Sequence, residues 1–110
     1  MKPIIHMTME RKVTLAPRVR LDAANAPALQ SRLETLLGTG VKHFVIDLAE
    51  TPFLDSAGMV VLLELRHRCQ EVGGTVTLVW PQSEPVRRTL QLIGLERIFD
   101  MVDNFQSGQQ

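Results

Sequence analysis

The sequence predicts an α/β domain: a mixed, mostly parallel β-sheet of four to five strands with three to four α-helices packed against it. Short runs of aliphatic and β-branched residues alternate with helical patterns about a dozen residues long, as parallel strands joined by crossover helices do. The chain opens on two adjoining strand-like runs with only a polar turn between them, so the sheet gains an antiparallel part. Glycines stand where each helical pattern stops.

Residues 4–9 and 13–21 read as the opening strands, with Glu10, Arg11 and Lys12 as their turn. Asn25 is placed to cap a first helix, and Pro27 is tolerated in its first turn. Leu29, Leu33, Leu36 and Leu37 follow at i, i+4, i+7 and i+8 on one face, and Gly38 with Gly40 end the pattern. Residues 44–48 are nearly all apolar, as expected of an interior strand covered on both faces; for Asp47 at its end a structural role is expected, rather than one in orienting the next loop. A second helix runs from about Met59 to about Val72 and stops at Gly73-Gly74. Leu62, Leu65, Cys69 and Val72 recur at i, i+3, i+7 and i+10 and mark its face toward the sheet. Met59, Val60 and Leu63 fall outside that stripe, either as extra core under a loop or as an apolar patch beside the helix start that docks a partner. Residues 75–80 give another strand, with Trp80-Pro81 as a packed edge. Ser83 can cap a third helix with Pro85 in its first turn, Val86, Leu90 and Ile93 on one face, and Gly94 closing it. Ile98 and Phe99 add a short edge strand or pack a last turn. The domain is expected over residues 1–103, with 104–110 a flexible tail.

With 110 residues the chain can bury one core without metal or disulfide support. Twelve basic residues balance 12 acidic ones with no basic run, which leaves no electrostatic footprint for nucleic acid and no polybasic membrane anchor. Aromatic residues make up 5% and tyrosine is missing, which also argues against base stacking. The longest apolar stretch, 59–63, is too short to span a bilayer, and the N-terminus lacks the apolar core of a signal peptide. A single cysteine, Cys69, on the buried stripe and therefore inert, makes no disulfide framework or thiolate cluster. His6, His43 and His67 lack metal-ligand spacing. A cytoplasmic protein with no cofactor, no bound nucleic acid and no direct membrane insertion is expected.

The run Leu54-Asp55-Ser56-Ala57-Gly58-Met59 lies where a strand-side loop becomes a helix. Ser56 sits at or beside the helix N-terminus, where unpaired backbone N–H groups favour a side-chain oxygen and favour a phosphate more. Ser56 could be the cap, or Asp55 could. An enzyme is not expected. A nucleophile elbow needs glycine two residues before the serine, and position 54 is Leu. His67 lies three turns along the helix from Ser56, about 16 Å by helix rise, out of reach as a base. Gly73-Gly74 lacks the rest of a P-loop.

Several segments, in their order and spacing, resemble the STAS domain, specifically its anti-sigma factor antagonist (anti-anti-sigma factor) branch, over residues 13–102. They are Leu-Asp-Ala-Ala-Asn-Ala-Pro at 21–27, Val-Ile-Asp-Leu at 45–48, Phe-Leu-Asp-Ser-Ala-Gly-Met at 53–59, Gly-Gly-Thr-Val-Thr-Leu-Val at 73–79, and Leu-Ile-Gly-Leu at 92–95 with Ile98-Phe99. The resemblance implies a STAS fold with Ser56 as a phosphoacceptor. It further implies that the unphosphorylated protein binds an anti-sigma factor serine kinase and frees a sigma factor. Phosphorylation breaks that complex and a serine phosphatase restores it; ATP and Mg²⁺ belong to the kinase. The implied partner-binding set is Asp22, Asn25, Asp55, Ser56, Ala57, Gly58, Met59, Val60 and Leu63, with Asp22 and Asn25 near the switch serine and Asp55 and Gly58 shaping its turn. The sequence departs from the family pattern at Ala57, where a second hydroxyl is common, at Val60, where a small residue is common, and at Val19, where glycine is usual. An alternative role for the same resemblance is a STAS accessory subunit regulating a membrane transporter, with Ser56 as a structural cap.

Overall fold

A computed structural model describes residues 4–7, through their backbone, and residues 11–103. Strand β1 (Ile4–Met7) pairs antiparallel with β2 (Lys12–Ala16), Ile4 opposite Ala16 and Met7 opposite Val13. Strands β3 (His43–Asp47), β4 (Thr75–Val79) and β5 (Asp100–Val102) then add in parallel, giving the order β1-β2-β3-β4-β5. Helices α1 (Ala26–Gly38), α2 (Ser56–Glu71) and α3 (Glu84–Leu92) make the crossovers, and a 3₁₀ turn at Leu95–Arg97 leads into β5.

Because each crossover steps one strand further in the same direction, crossovers of the preferred hand all land on one face. Burial follows. Val13 and Leu15, Phe44 and Ile46, and Val76 and Leu78 are buried in the same core as Leu29, Leu33, Leu62, Leu65, Val86 and Leu90 of the helices. The alternate positions Thr14, Val45 and Thr77 are only half-buried. The expectation that residues 44–48 are covered on both faces is therefore corrected: β3 is interior to the sheet but, among the described residues, has a single helix-covered face.

Other expectations shift at element ends. β2 stops at Ala16, not at residue 21, because Pro17 has no N–H for the ladder; Leu21 instead forms a separate parallel bridge with Leu54. Helix α2 starts three residues before Met59, and its inner face is Gly58, Val61, Leu62, Leu65 and Cys69. Val72 falls at the C-cap, past the last helical turn, and is 54% exposed rather than part of the stripe. Ile93 likewise sits at the C-cap of α3 and is exposed. Gly94 turns the chain with φ +77°, a value costly for residues with a Cβ. Phe99 is buried and Ile98 half-buried in the last turn, and the edge strand follows them. Trp80 lies just beyond β4, its N–H donating to the Val102 carbonyl and its ring under the Arg87 guanidinium. Of the expected elements, residues 8–10 of the first strand and turn and the tail at 104–110 lie outside the described residues.

Candidate functional site

Parallel strands β2 and β3 end side by side, so the loops that follow them, 17–25 and 48–55, meet at one edge of the sheet. They are joined along their length. The Leu21 N–H donates to the Phe53 carbonyl (2.8 Å), and the Asp55 N–H donates to the Leu21 carbonyl (3.2 Å). The buried Thr51 hydroxyl donates to the Pro17 carbonyl (2.6 Å), and Arg18 pairs with Glu50 (3.5 Å). Leu21 and Leu54 are buried, so side-chain alternation puts Arg20, Asp22, Phe53 and Asp55 on the outer side of this short parallel ribbon. There the Arg20 guanidinium stacks 4.1 Å from the Phe53 ring centroid, and Arg20 Nε donates to Asp22 Oδ2 (3.3 Å).

Each half of the ribbon ends in an aspartate that organises the helix after it. Asp55 is the N-cap of α2, its Oδ1 accepting from the Ala57 N–H (2.9 Å). This resolves which of the two residues caps: Asp55 does, and Ser56 is the first helical residue. Asp22 Oδ1 accepts from the N–H groups of Ala24 and Asn25 (both 3.1 Å). Asn25 occupies the N-cap position of α1 without a side-chain cap; its amide donates back to the Arg20 carbonyl (2.9 Å). Asn25 thus holds the expected N-cap position but its side chain does not cap, while Asp22 closes the turn before it. The Asn25 N–H, foremost, together with Arg20 and the Ala24 N–H, holds the Asp22 carboxyl below the usual Asp range, against a smaller opposing effect of burial.

Ser56 is exposed, and among the described residues nothing hydrogen-bonds to its hydroxyl. Val60 and Leu63 follow at i+4 and i+7, so the three side chains stack on one outward face of α2, Val60 at 59% and Leu63 at 40% exposure. Ala57 and Met59 are half-buried. Gly58 is buried where the first turn of α2 presses on the ribbon: a Cβ there would lie 2.8 Å from the Leu21 carbonyl oxygen and 2.9 Å from its Cβ. Gly58 therefore sets the approach of helix to ribbon and offers no outward surface.

The ribbon brings the Asp22–Asn25 segment against Asp55 and the start of α2, so the candidate residues form one neighbourhood, Gly58 beneath it. Asp47 stands at the end of β3, its Oδ1 accepting from the Ala49 N–H (3.0 Å). Burial pushes the Cys69 thiol up to about 11, where it is neither nucleophile nor ligand at neutral pH. His67 pairs with Glu71 further along α2. No group of three or more metal-ligating side chains comes together among the described residues, and none of their helices is long and apolar enough to cross a membrane.

Arg20, Thr51 and Phe53 were not among the expected site residues. The signal for them was a repeated Leu-Asp pair, Leu21-Asp22 and Leu54-Asp55, each followed by small residues and a helix. It marks two equivalent loops that pair in register.

The sequence matches the family model for the STAS domain over residues 7–108. The chain belongs to the STAS domain family. This STAS domain is similar to a crystal structure of a candidate anti-sigma factor antagonist from Thermotoga maritima, at 24% identity and TM-score 0.84 over 96% of this chain and 90% of that one. It is similar to an anti-sigma factor antagonist from Mycobacterium paratuberculosis, at 21% identity and TM-score 0.80 over 96% and 88%. It is also similar to the anti-sigma factor antagonist SpoIIAA of Bacillus in two forms. The unphosphorylated form gives 20% identity and TM-score 0.74 over 97% and 93%, the phosphorylated form 21% and 0.73 over 94% and 91%. At such identities the likeness establishes a shared fold.

Proposed function

We propose that this STAS domain is an anti-sigma factor antagonist switched by phosphorylation of Ser56. In the unphosphorylated state it binds an anti-sigma factor serine kinase in the cytoplasm and so releases a sigma factor. The kinase brings its own ATP and Mg²⁺ and transfers the phosphate that ends the complex, and a serine phosphatase reverses the transfer. The domain itself acts as binding partner and phosphate acceptor, not as catalyst. The observation that carries this reading is the position of Ser56: an exposed hydroxyl at the first residue of α2, in line with the exposed apolar side chains of Val60 and Leu63. Fold likeness to SpoIIAA, a protein known in phosphorylated and unphosphorylated forms, supports it.

The physics of the position suits a switch. Phosphate adds about −1.5 to −2 charges. At the start of α2 the helix dipole accommodates that charge, so the fold is retained. Against a docked partner the same charge, beside Asp55, must be desolvated and repels acidic groups. A penalty of about 3 kcal/mol weakens an interface on the order of 100-fold.

Incubation with the cognate kinase and ATP is expected to add one phosphate to the wild type and none to Ser56→Ala, measured by intact-mass spectrometry. Equal modification of Ser56→Ala would overturn the assignment.

A further inference from the structure

We infer that Arg20 is the counter-ion, within the domain, of the phosphate carried by Ser56. The inference rests on the reading of Ser56 as a phosphoacceptor and adds a residue to it. A phosphate on Ser56 follows directly on Asp55, and Asp55 is one position past the Leu21–Leu54 bridge, beside Asp22. Two carboxylates thus already occupy the outer side of the ribbon where a dianion would arrive, and like charges so close oppose it. A cation on that same side is Arg20, in register with Phe53 and three residues before Ser56 in ribbon terms.

Its present contacts leave it available. Arg20 is 58% exposed, its guanidinium lies on the Phe53 ring, and one N–H of its five donors meets a single Asp22 oxygen at a long 3.3 Å. A phosphate offers three acceptor oxygens, more charge than a carboxylate, and the geometry for paired N–H contacts that guanidinium favours. Arg20 therefore turns its N–H edges from Asp22 toward the phosphate while the face of its guanidinium stays on the Phe53 ring. Arg18, two residues earlier and tied to Glu50, provides the comparison cation.

The test installs phosphoserine at position 56 during translation, so that no kinase is needed, and titrates the phosphate by phosphorus NMR. In the wild type the second phosphate pKa is expected below that of Arg20→Gln by about half a unit, the size of an exposed charge pair. Arg20→Lys is expected to recover most of the difference, and Arg18→Gln to leave the wild-type value in place. A phosphate pKa unchanged in Arg20→Gln overturns the inference, as does a shift of equal size in Arg18→Gln. A purely structural role for Arg20 would lower the melting temperature without moving the phosphorus titration. Failure of a kinase to modify Ser56 counts against the phosphoacceptor reading alone, since this titration does not depend on it.

Discussion

Asp22 opens the turn that leads into α1, and the fold favours its ionised form. The N–H of Asn25, the Arg20 side chain and the N–H of Ala24 all stabilise its carboxylate. A carboxyl whose folded value is depressed contributes stability above the unfolded value, about 3.9, and loses it as pH falls through the folded value. Asp22→Asn keeps the acceptor oxygen for the turn and removes the charge. The wild type is therefore expected to resist urea better than Asp22→Asn at pH 6, with the gap between the two midpoints closing below about pH 4. A gap that persists unchanged to low pH would place the effect elsewhere than in ionisation. Sequence rules favoured Asn25 as the cap of α1, because its residue type and its place before Pro27 suit that position; its side chain does not cap. The turn that Asp22 closes swings the Asn25 amide back to the Arg20 carbonyl instead.

At the scale of elements, the ribbon and the first turn of α2 define each other. Ser56 and Gly58 are poor helix formers, which is why the periodic pattern is legible only from Met59 onward. The helix nevertheless starts at Ser56, because the Asp55 cap and the close approach of Gly58 to Leu21 supply what propensity lacks. Gly58→Ala tests this. In an unconstrained helix alanine gains about 1 kcal/mol over glycine. Here its methyl meets a backbone carbonyl and a Cβ at under 3 Å, and overpacking of this kind costs about 1–3 kcal/mol. A net loss of stability is expected in urea unfolding. Amide exchange at Leu21 and Asp55, the two N–H groups of the ribbon, is expected to quicken with it. Stabilisation by Gly58→Ala would refute the close approach.

For the molecule as a whole, the alternation of strands and helices was open to reading from sequence, but the order in which strands lie was not. Sequential order is what places all crossovers on one face and makes β3 one-sided, although its run of apolar residues resembles a strand buried on both. The same arrangement gathers the loops 17–25 and 48–55 at the strand ends and leaves Ser56, Val60 and Leu63 facing outward from the core. The separation of core from outward face predicts that binding and folding respond independently to substitution. Ser56→Asp adds a negative charge at the start of α2, which the dipole tolerates. Val60→Asp removes apolar contact from a side chain that is 59% exposed. Surface changes of this kind alter stability by about 0.5 kcal/mol or less, or about 2–4 °C in melting temperature for a small domain. Against the kinase partner proposed above each is expected to weaken binding about tenfold or more, equivalent to about 1.4 kcal/mol. Calorimetric melting and titration of the two variants against the kinase would measure both quantities on the same samples. Affinity lost in proportion to melting temperature would return these residues to the fold, whereas affinity lost at constant melting temperature makes the outward stripe of α2 the surface on which association is decided.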